Sequence, residues 1–343
     1  MDSEYEKKSQ AIEEDIPSKR RKRKRKAEPN AGELSLMEYH DEIKDILLRA
    51  REQLVTLGRQ KQFIKDVSSS CQHDNNRVAR VTAKQHGPSD TLVQISTLIN
   101  QEIPYGYKGF LENDLGRVSS IFNRVVHHNC ESPHIWSLGG DKYVIPSKTK
   151  FLMSDISNLD ALLREGVKYN VIVLDPPWFN KAVRRKRGYK MLSEYDFYQV
   201  PIKQLISHRG VVLVWVTNKL SQIQFVTEQL FPQWGVTYHT SWYWIKITVH
   251  GEFIYDFDSI HKKPYETLVI GTKQPAPSLP RDRVLVSVPC SIHSRKPPLN
   301  NVLESVLPDG GPYLEMFARN LIPGWTSWGN EVLKFQHTDF YVS

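Results

Sequence analysis

Short apolar runs alternate with longer, helix-forming segments after Pro146. The runs are rich in β-branched and aromatic residues and comprise Phe151–Ser154, Val171–Leu174, Val211–Val216, Ser241–Ile245, Thr267–Ile270 and Tyr313–Phe317. Segments long enough for helices, such as 158–165, 193–207 and 219–231, lie between several of them. Because apolar strands that alternate with helices form a parallel-rich sheet covered on both faces, we predict an α/β fold of Rossmann type for residues 147–343. Ligands of such sheets bind beyond the carboxyl ends of the strands.

Residues 1–33 have a different composition, with many charges and few apolar side chains, and we expect a disordered tail. Eight consecutive cations, Lys19 to Lys26, are typical of a nuclear import signal read by an import receptor, or of an arm that binds nucleic acid. A merely solubilising tail is the alternative. Without these eight residues the chain has 38 basic and 38 acidic residues, so the net charge of +8 equals the charge of this one run. We expect a nuclear protein.

Between the tail and the α/β region, residues 34–146 indicate a mostly helical N-terminal domain. Apolar residues recur at spacings of three and four from Leu36 to Leu57, as in a long amphipathic helix. Shorter helices are predicted over Leu92–Ile103 and Leu115–Val126. This domain contains no recognisable chemistry; it could cover the catalytic domain or recruit another protein.

The cysteines and the hydropathy limit the class of protein. Cys71, Cys130 and Cys290 are odd in number and far apart, which excludes a disulfide framework and a CxxC zinc cluster. A reducing compartment is the simplest interpretation. No apolar run approaches the roughly 18 residues that span a bilayer, and the N-terminus is acidic and polar, unlike a signal peptide. We expect a soluble intracellular protein that does not bind membranes.

The predicted strand Val171–Leu174 ends in the turn Asp175-Pro176-Pro177-Trp178. Two prolines fix the backbone and remove two N–H donors, so the turn presents carbonyl acceptors beside a carboxylate. Two such acceptors suit the exocyclic amine of adenine. By taking its two hydrogens they would hold the nitrogen and free its lone pair to attack a methyl group. The alternative is a rigid turn with a buried indole and no chemistry.

This turn and several later segments resemble the DPPW-type (MT-A) adenosine N6-methyltransferases, which include the nuclear mRNA enzyme, and among them the branch called methyltransferase-like protein four. The resemblance covers about residues 150–335. The segments that carry it are Ser154–Ile156, Asp175–Trp178, Trp215–Asn218, Trp244–Lys246, His293–Pro297, Glu315–Asn320 and Trp325–Glu331. It implies a Rossmann-like domain with permuted motif order and S-adenosylmethionine as the methyl donor. The absence of a G-x-G-x-x-G before the Asp175 strand agrees with permutation.

The resemblance also implies which residues bind the donor. They are Asp155 and Ile156 at its adenine, Arg319, Asn320, Asn330 and Glu331 around its ribose, and Asp175 and Lys263 at its methionine amino and carboxylate groups. Glu331 stands where the mRNA enzyme carries an amide. Structural alternatives exist, because Asp155 could cap the following helix, Arg319 could pair with Glu315, and Lys263 could belong to a surface pair.

A basic segment follows the turn, and its cations are Lys181, Arg184, Arg185, Lys186, Arg187 and Lys190. Such a segment would contact phosphates beside the reacting nucleotide. The substrate-binding residues that we predict are Trp178, Arg184, Arg185, Arg187 and Tyr189. Tyr189 could stack on an adenine that has left its helix. A surface loop or a second import signal is the alternative.

The predicted mechanism is direct methyl transfer. The adenine amine sits between the Asp175 side chain and the Pro176 carbonyl, with Trp178 or Tyr189 against the ring, and attacks a sulfonium methyl. No covalent intermediate and no metal is needed, and orientation can supply ~7–11 kcal/mol. The tryptophans in the predicted strands, Trp215, Trp242 and Trp244, are expected in the core.

Two other functions remain open. The turn contacts only a base edge, so the substrate could be DNA adenine instead of RNA. A catalytically inactive nucleic-acid-binding partner is the second alternative, which the intact Asp175–Trp178 motif disfavours. The resemblance favours a structured nuclear RNA, such as a spliceosomal small nuclear RNA in which 2′-O-methyladenosine would become N6,2′-O-dimethyladenosine. We expect a monomer.

Overall fold

A computed structural model of the chain describes residues 31–64, 121–178, 192–259, 262–274, 279–281, 283–290, 295–307 and 310–341. The tail 1–33 therefore lies almost wholly outside the described residues, as do the predicted helix 92–103 and the basic segment 181–190.

Nine of the described strands form one mixed sheet in the order β1-β4-β11-β10-β5-β6-β8-β7-β9, and β2 and β3 form a separate hairpin. The strands are β1 (Val125–His128), β2 (His134–Leu138), β3 (Asp141–Ile145), β4 (Thr149–Leu152), β5 (Tyr169–Leu174), β6 (Ile206–Val216), β7 (Thr237–Lys246), β8 (Tyr265–Thr272), β9 (Val284–Ser287), β10 (Tyr313–Met316) and β11 (Trp325–Trp328). The predicted α/β fold is confirmed, and all six predicted strand runs lie on strands.

The centre of the sheet is parallel, an antiparallel strand flanks it on each side, and the last strand, β9, runs parallel to β7. Strands β4, β11, β10, β5 and β6 run in one direction. Strand β8 runs against both β6 and β7, and β1 runs against β4. The central strands are buried along almost their whole length, because both faces of the sheet are covered.

The described helices are Ala31–Gln60, Asp160–Arg164, Glu194–Tyr198, Ile202–Leu205, Leu220–Gln224, Phe231–Trp234 and Asn300–Glu304. A π-helical segment, Phe225–Leu230, joins two of them, just before Pro232 interrupts the backbone ladder. The three helix-length segments predicted between strands all contain helix. Among the described helices, none combines the length and apolar character needed to cross a membrane.

The end of the predicted N-terminal domain differs from the prediction. Residues 115–120 of the expected helix Leu115–Val126 lie outside the described part, and Val125 and Val126 belong to β1, which pairs with β4 of the main sheet. The β-branched pair fits an edge strand better than a helix, and pairing with β4 decides the outcome. The β2–β3 hairpin follows, so residues 125–145 are strands and not helices.

The long helix predicted from Leu36 to Leu57 is present as Ala31–Gln60, called here the N-terminal helix. It buries Ile43, Leu47 and Val55 against Ile245 and neighbouring apolar residues at the ends of β7 and β8. Of the two roles considered for this region, the described part covers the catalytic domain.

Candidate active site

The carboxyl ends of the parallel strands bring the predicted site residues to one edge of the sheet. Asp175 follows β5, and Phe317 follows its neighbour β10. The segment from Asp155 follows β4, and Asn330 follows β11, which lies beside β4. This is the edge at which ligands of parallel sheets bind.

The Asp175 carboxylate is held between two cations. Its Oδ1 lies 3.0 Å from Lys296 Nζ and its Oδ2 lies 3.1 Å from Arg319 Nη2, while its side chain is only 14% exposed. Burying a carboxylate is costly unless it is paired, and these cations supply the pairing. Two ion pairs therefore fix the Asp175 carboxylate in position, and Arg319 reaches it across adjacent strands.

The charges continue away from Asp175 as an alternating chain. Lys296 Nζ also lies 3.0 Å from Glu266 Oε2, and Lys246 donates to the other oxygen of Glu266. Burial alone would raise the pKa of Glu266, but the two lysines outweigh it and lower that pKa to about 2. Burial opposes the charge on Lys296, yet Asp175 and Glu266 raise its pKa overall. Lys296 thus remains a cation beside Asp175.

Glu315, on β10, is the next carboxyl in this region and has a different environment. Its Oε2 is buried and has no hydrogen-bond partner among the described residues. Burial, with the nearby charge of Asp175, raises its pKa to about 8, although Arg319 acts in the opposite direction. Glu315 is therefore largely protonated at neutral pH, and an unsatisfied polar atom lines the site.

The backbone after β10 turns sharply to deliver Arg319. Phe317 has φ of +61°, a left-handed conformation that a bulky residue rarely adopts, and its ring packs edge-on against Trp328. The chain after β11 passes so close that a Cβ on Gly329 would lie 2.4 Å from the Ala318 carbonyl oxygen. Only glycine fits there.

A cavity of about 100 Å³ opens at this edge. The side chains that the mechanism would use, Asp175, Lys296, Glu315, Arg319 and Asn320, all line it, as do Trp215 and Phe335. Asp175 thus emerges into a cavity and not into the interior. The space is smaller than the ~300–1,000 Å³ typical of ligand pockets, so side chains must move before a large ligand enters.

Of the predicted donor-binding residues, Asp175, Arg319 and Asn320 line this cavity, and the others do not. Asp155 and Ile156 follow β4 at the same edge. Asp155 directly precedes the 3-10 turn Ile156–Asn158, and its carbonyl oxygen accepts the Asn158 N–H at 2.9 Å. Glu331 pairs with Lys334 at 2.8 Å.

Lys263, predicted at the methionine carboxylate of the donor, does not line this cavity. Its Nζ donates to the Phe257 carbonyl at 3.1 Å and lies over the Phe257 ring, among the residues beneath the N-terminal helix. The cation at Asp175 is instead Lys296, which the sequence analysis included only within the segment His293–Pro297. The sequence does contain a signal for Lys296, because Lys296-Pro297 has the same Lys-Pro pair as Lys263-Pro264. That signal does not say which of the two lysines lies at Asp175.

The Asp175–Trp178 turn is rigid, as predicted. The buried Pro176 accepts the Trp178 N–H on its carbonyl oxygen at 2.8 Å, which leaves one lone pair for another donor. The Trp178 indole donates to the Trp215 carbonyl at 2.7 Å and stacks on Phe197 with 4.7 Å between ring centroids. One face of the indole is therefore already covered.

The strand tryptophans are in the core, as expected, although Trp215 also lines the cavity. The predicted substrate-binding residues Arg184, Arg185, Arg187 and Tyr189 lie outside the described residues.

Comparison with known proteins identifies relatives of this site. The family model MT-A70 matches residues 169–331. The chain is 39% identical to human N(6)-adenine-specific methyltransferase METTL4, over 94% of this chain and 71% of the human protein. It is 40% identical to the N6-methyladenosine RNA methyltransferase MTA1 of Cryphonectria parasitica, over 58% of this chain and 62% of that protein. It is 36% identical to the DNA N6-methyl methyltransferase of Caenorhabditis elegans, over 57% and 55% respectively.

Proposed function

Because the chain belongs to the MT-A70 family, in the branch that contains METTL4, we propose that it methylates the N6 amine of adenosine in a structured nuclear RNA, with S-adenosylmethionine as donor. The enzyme class, adenine N6-methyltransferase acting on nucleic acid, follows from the family. The observation that carries the mechanism is the Asp175 carboxylate, which lines a cavity at the carboxyl edge of the sheet beside the rigid Pro-Pro turn.

The residues around the cavity fit an S-adenosylmethionine molecule in charge and polarity. Lys296 is a cation suited to its methionine carboxylate, and Arg319, predicted at its ribose, can donate hydrogen bonds to the ribose hydroxyls. The unpartnered Glu315 Oε2 and Asn320 offer polar contacts to hydroxyl or amino groups. When bound, the donor supplies an electrophilic methyl group on a sulfonium.

When the carboxylate of a ligand binds, Lys296 must be shared between that carboxylate and Asp175. Lys296 already bridges Asp175 and Glu266, so it can turn from Asp175 to a ligand without becoming unpaired. Oδ1 of Asp175 is then available to accept a hydrogen from the adenine amine. The free lone pair of the Pro176 carbonyl takes the second hydrogen. Both acceptors would fix the orientation of the nitrogen and of its lone pair, which is catalysis by orientation and hydrogen bonding.

We further propose that the protein acts in the nucleus as a monomer. The basic run Lys19–Lys26 supports nuclear import by an import receptor. What supports a monomer is that both oxygens of Asp175 have a cation from the same chain, Lys296 and Arg319. The favoured substrate class is a small nuclear RNA that carries 2′-O-methyladenosine.

The function is tested with isotopically labelled methyl donor and four matched oligonucleotides, which are RNA with adenosine, RNA with 2′-O-methyladenosine, single-stranded DNA and duplex DNA. Nucleoside mass spectrometry should find label on N6 of adenosine in RNA, and most in the 2′-O-methylated oligonucleotide. Label in DNA alone would remove the RNA assignment, and label in neither polymer would favour a binding protein.

Asp175→Ala is expected to abolish turnover, and Asp175→Asn to lower kcat by at least about 100-fold, because the loss of one preorganised group costs about that much. Asp160→Asn, at an exposed position, is the matched control. Circular dichroism and thermal melting of each variant separate lost chemistry from lost fold. Wild-type kcat in Asp175→Asn would disprove the proposed role.

A further inference from the structure

Three potential metal ligands meet at the connection between β1 and β2, far along the sheet from Asp175. They are His128 at the end of β1, Cys130 in the connection and His134 at the start of β2. Their ligand atoms all lie within 4.8 Å of one another, and His128 Nε2 is 3.0 Å from His134 Nδ1. The predicted chemistry of the active site uses none of them.

The hydrogen bonding of His128 prepares it to bind a metal. Its Nδ1 lies 2.7 Å from the Pro146 carbonyl oxygen, and since a carbonyl can only accept, Nδ1 carries the proton. Nε2 then presents its lone pair towards the cluster. A metal-binding histidine typically donates its other ring N–H to a carbonyl or carboxylate, which fixes the tautomer and the ring orientation. With His128 only 5% exposed, this orientation is enforced by packing.

A simple hydrogen bond from His134 to His128 would account for their separation, but it would leave the role of the cysteine unexplained. Cys130 is exposed and unoxidised. Lys148 donates its backbone N–H to the Cys130 carbonyl at 3.1 Å, so the connection is held beside the two rings by a backbone contact. An arrangement of two imidazoles and one thiol within a few ångströms matches a zinc ligand set.

We propose that His128, Cys130 and His134 bind one Zn²⁺ ion, with water as the fourth ligand. Zinc bonds of about 2.0 Å to nitrogen and 2.3 Å to sulfur place tetrahedral ligands about 3.3–3.6 Å apart. The present separations therefore require only small shifts of the exposed Cys130 and His134. On binding, the thiol loses its proton to solvent and the thiolate sulfur forms the Zn–S bond, while both histidines bind as neutral rings.

The position of the cluster separates this site from the methyl-transfer site. His128 pairs with Thr149 at the beginning of β4, whereas Val125 pairs with Leu152, next to the segment that leads to Asp155. The cluster therefore lies at the amino ends of the parallel strands, whereas Asp175 lies at their carboxyl ends. A bound ion would tie the edge strand β1 to the β2–β3 hairpin, which stabilises the folded state without contact with the reacting atoms.

The test uses the full-length chain after treatment with a chelator. Zn²⁺ is titrated in competition with a chromophoric chelator, and Co²⁺ serves as a spectroscopic probe. We expect one equivalent of metal, release of a proton, a thiolate-to-Co²⁺ charge-transfer band and a higher Tm with Zn²⁺. Cys130→Ser should lose the charge-transfer band and most of the affinity, and His134→Ala should also lose affinity.

Cys290→Ser is the matched control, because Cys290 is the other cysteine that is exposed among the described residues. It should retain both the stoichiometry and the band. Cys130→Ser is nearly isosteric at an exposed position, so it keeps the proposal testable if His134→Ala fails to fold. Absence of stoichiometric zinc in the wild type, or unchanged binding in Cys130→Ser, would overturn the proposal. Methyltransferase activity of metal-free Cys130→Ser should match that of the wild type below its Tm.

Discussion

Each oxygen of Asp175 has its own cation, and this determines how the carboxylate can act. At 14% exposure the carboxylate has lost most of its contact with water, and the ion pairs with Lys296 and Arg319 replace that contact. Because Lys296 is also paired with Glu266, the charge that it neutralises is shared between two carboxylates. A ligand carboxylate can therefore compete for Lys296 at a modest cost.

Substitution of Lys296 is predicted to weaken donor binding selectively. Lys296→Gln should raise the Kd for S-adenosylmethionine by about 10- to 100-fold, since a hydrogen bond to a charged group contributes about 1.5–3 kcal/mol. Isothermal titration calorimetry measures the Kd. Lys263→Gln is the control, because its Nζ contacts the Phe257 carbonyl and not Asp175. Equal weakening in the two variants would contradict this assignment.

The two lysines also show where sequence reasoning ends. Both precede a proline, and the two segments lie about thirty residues apart in sequence, so neither spacing nor residue type separates them. The distinction is tertiary, because Lys296 Nζ contacts Asp175, whereas Lys263, which precedes β8 at the same edge of the sheet, contacts the Phe257 carbonyl. Asp175, in contrast, lies directly after a strand and at the start of a turn, and neighbouring residues in the sequence encode both. Its position was therefore predictable.

Glu315 is predicted to make stability depend on pH. Its folded pKa of about 8 lies above the unfolded value near 4.5, so the folded state retains a proton that the unfolded state has lost. The free energy of unfolding should therefore fall between about pH 4.5 and pH 8, by up to about 1.4 kcal/mol per pH unit from this group alone.

Glu315→Gln removes this titration and should flatten the profile in that range. Urea denaturation at pH 5.5 and pH 8 measures the difference in the free energy of unfolding between the two conditions. Glu194→Gln is the control, because Glu194 is exposed in the first turn of the helix Glu194–Tyr198. If the wild type and Glu315→Gln lose the same free energy over this range, the carboxyl is not protonated in the folded protein.

At the scale of secondary structure, the success of prediction followed burial. Strands β5 and β6 have apolar, β-branched sequences because both faces are covered, and such runs are readable without a partner. Strand β1 has only four residues, two of them histidines, and its conformation comes from pairing with β4. Strands β2 and β9 likewise depend on pairing, with β3 and β7 respectively. Most side chains of β2 are exposed, and those of β9 are only partly buried. These elements depend on tertiary contacts, which local sequence does not encode.

The N-terminal helix gives a prediction at this scale, because its leucines differ in burial. Leu47 is 0% exposed against the sheet, whereas Leu57 is 48% exposed on the same helix. Leu47→Ala should lower the free energy of unfolding by about 2–5 kcal/mol through lost burial and a cavity. Leu57→Ala should change it by less than about 0.5 kcal/mol. Urea denaturation compares them, and similar losses would show that the helix does not dock on the sheet as described.

For the whole molecule, the distribution of charge matters more than the net value. The cations of the tail and of the segment 181–190 stand out from a body with nearly equal numbers of acidic and basic residues. Several cations of the body, including Lys246, Lys296 and Arg319, are already paired with carboxylates. Phosphate binding should therefore depend on a few basic segments, and these should dominate the salt dependence of RNA affinity.

Replacement of Arg184, Arg185 and Arg187 with glutamine tests this distribution. Each contact with single-stranded RNA that is lost should reduce the slope of log Kd against log salt concentration by about 0.7, so three lost contacts should reduce it by about 2. Fluorescence anisotropy at several salt concentrations measures the slope. The control replaces three exposed lysines elsewhere, Lys61, Lys142 and Lys203, with glutamine and changes the net charge equally. Equal reductions in both triple variants would mean that RNA responds to net charge alone, whereas a reduction confined to the arginine variant would place the phosphates next to the catalytic turn.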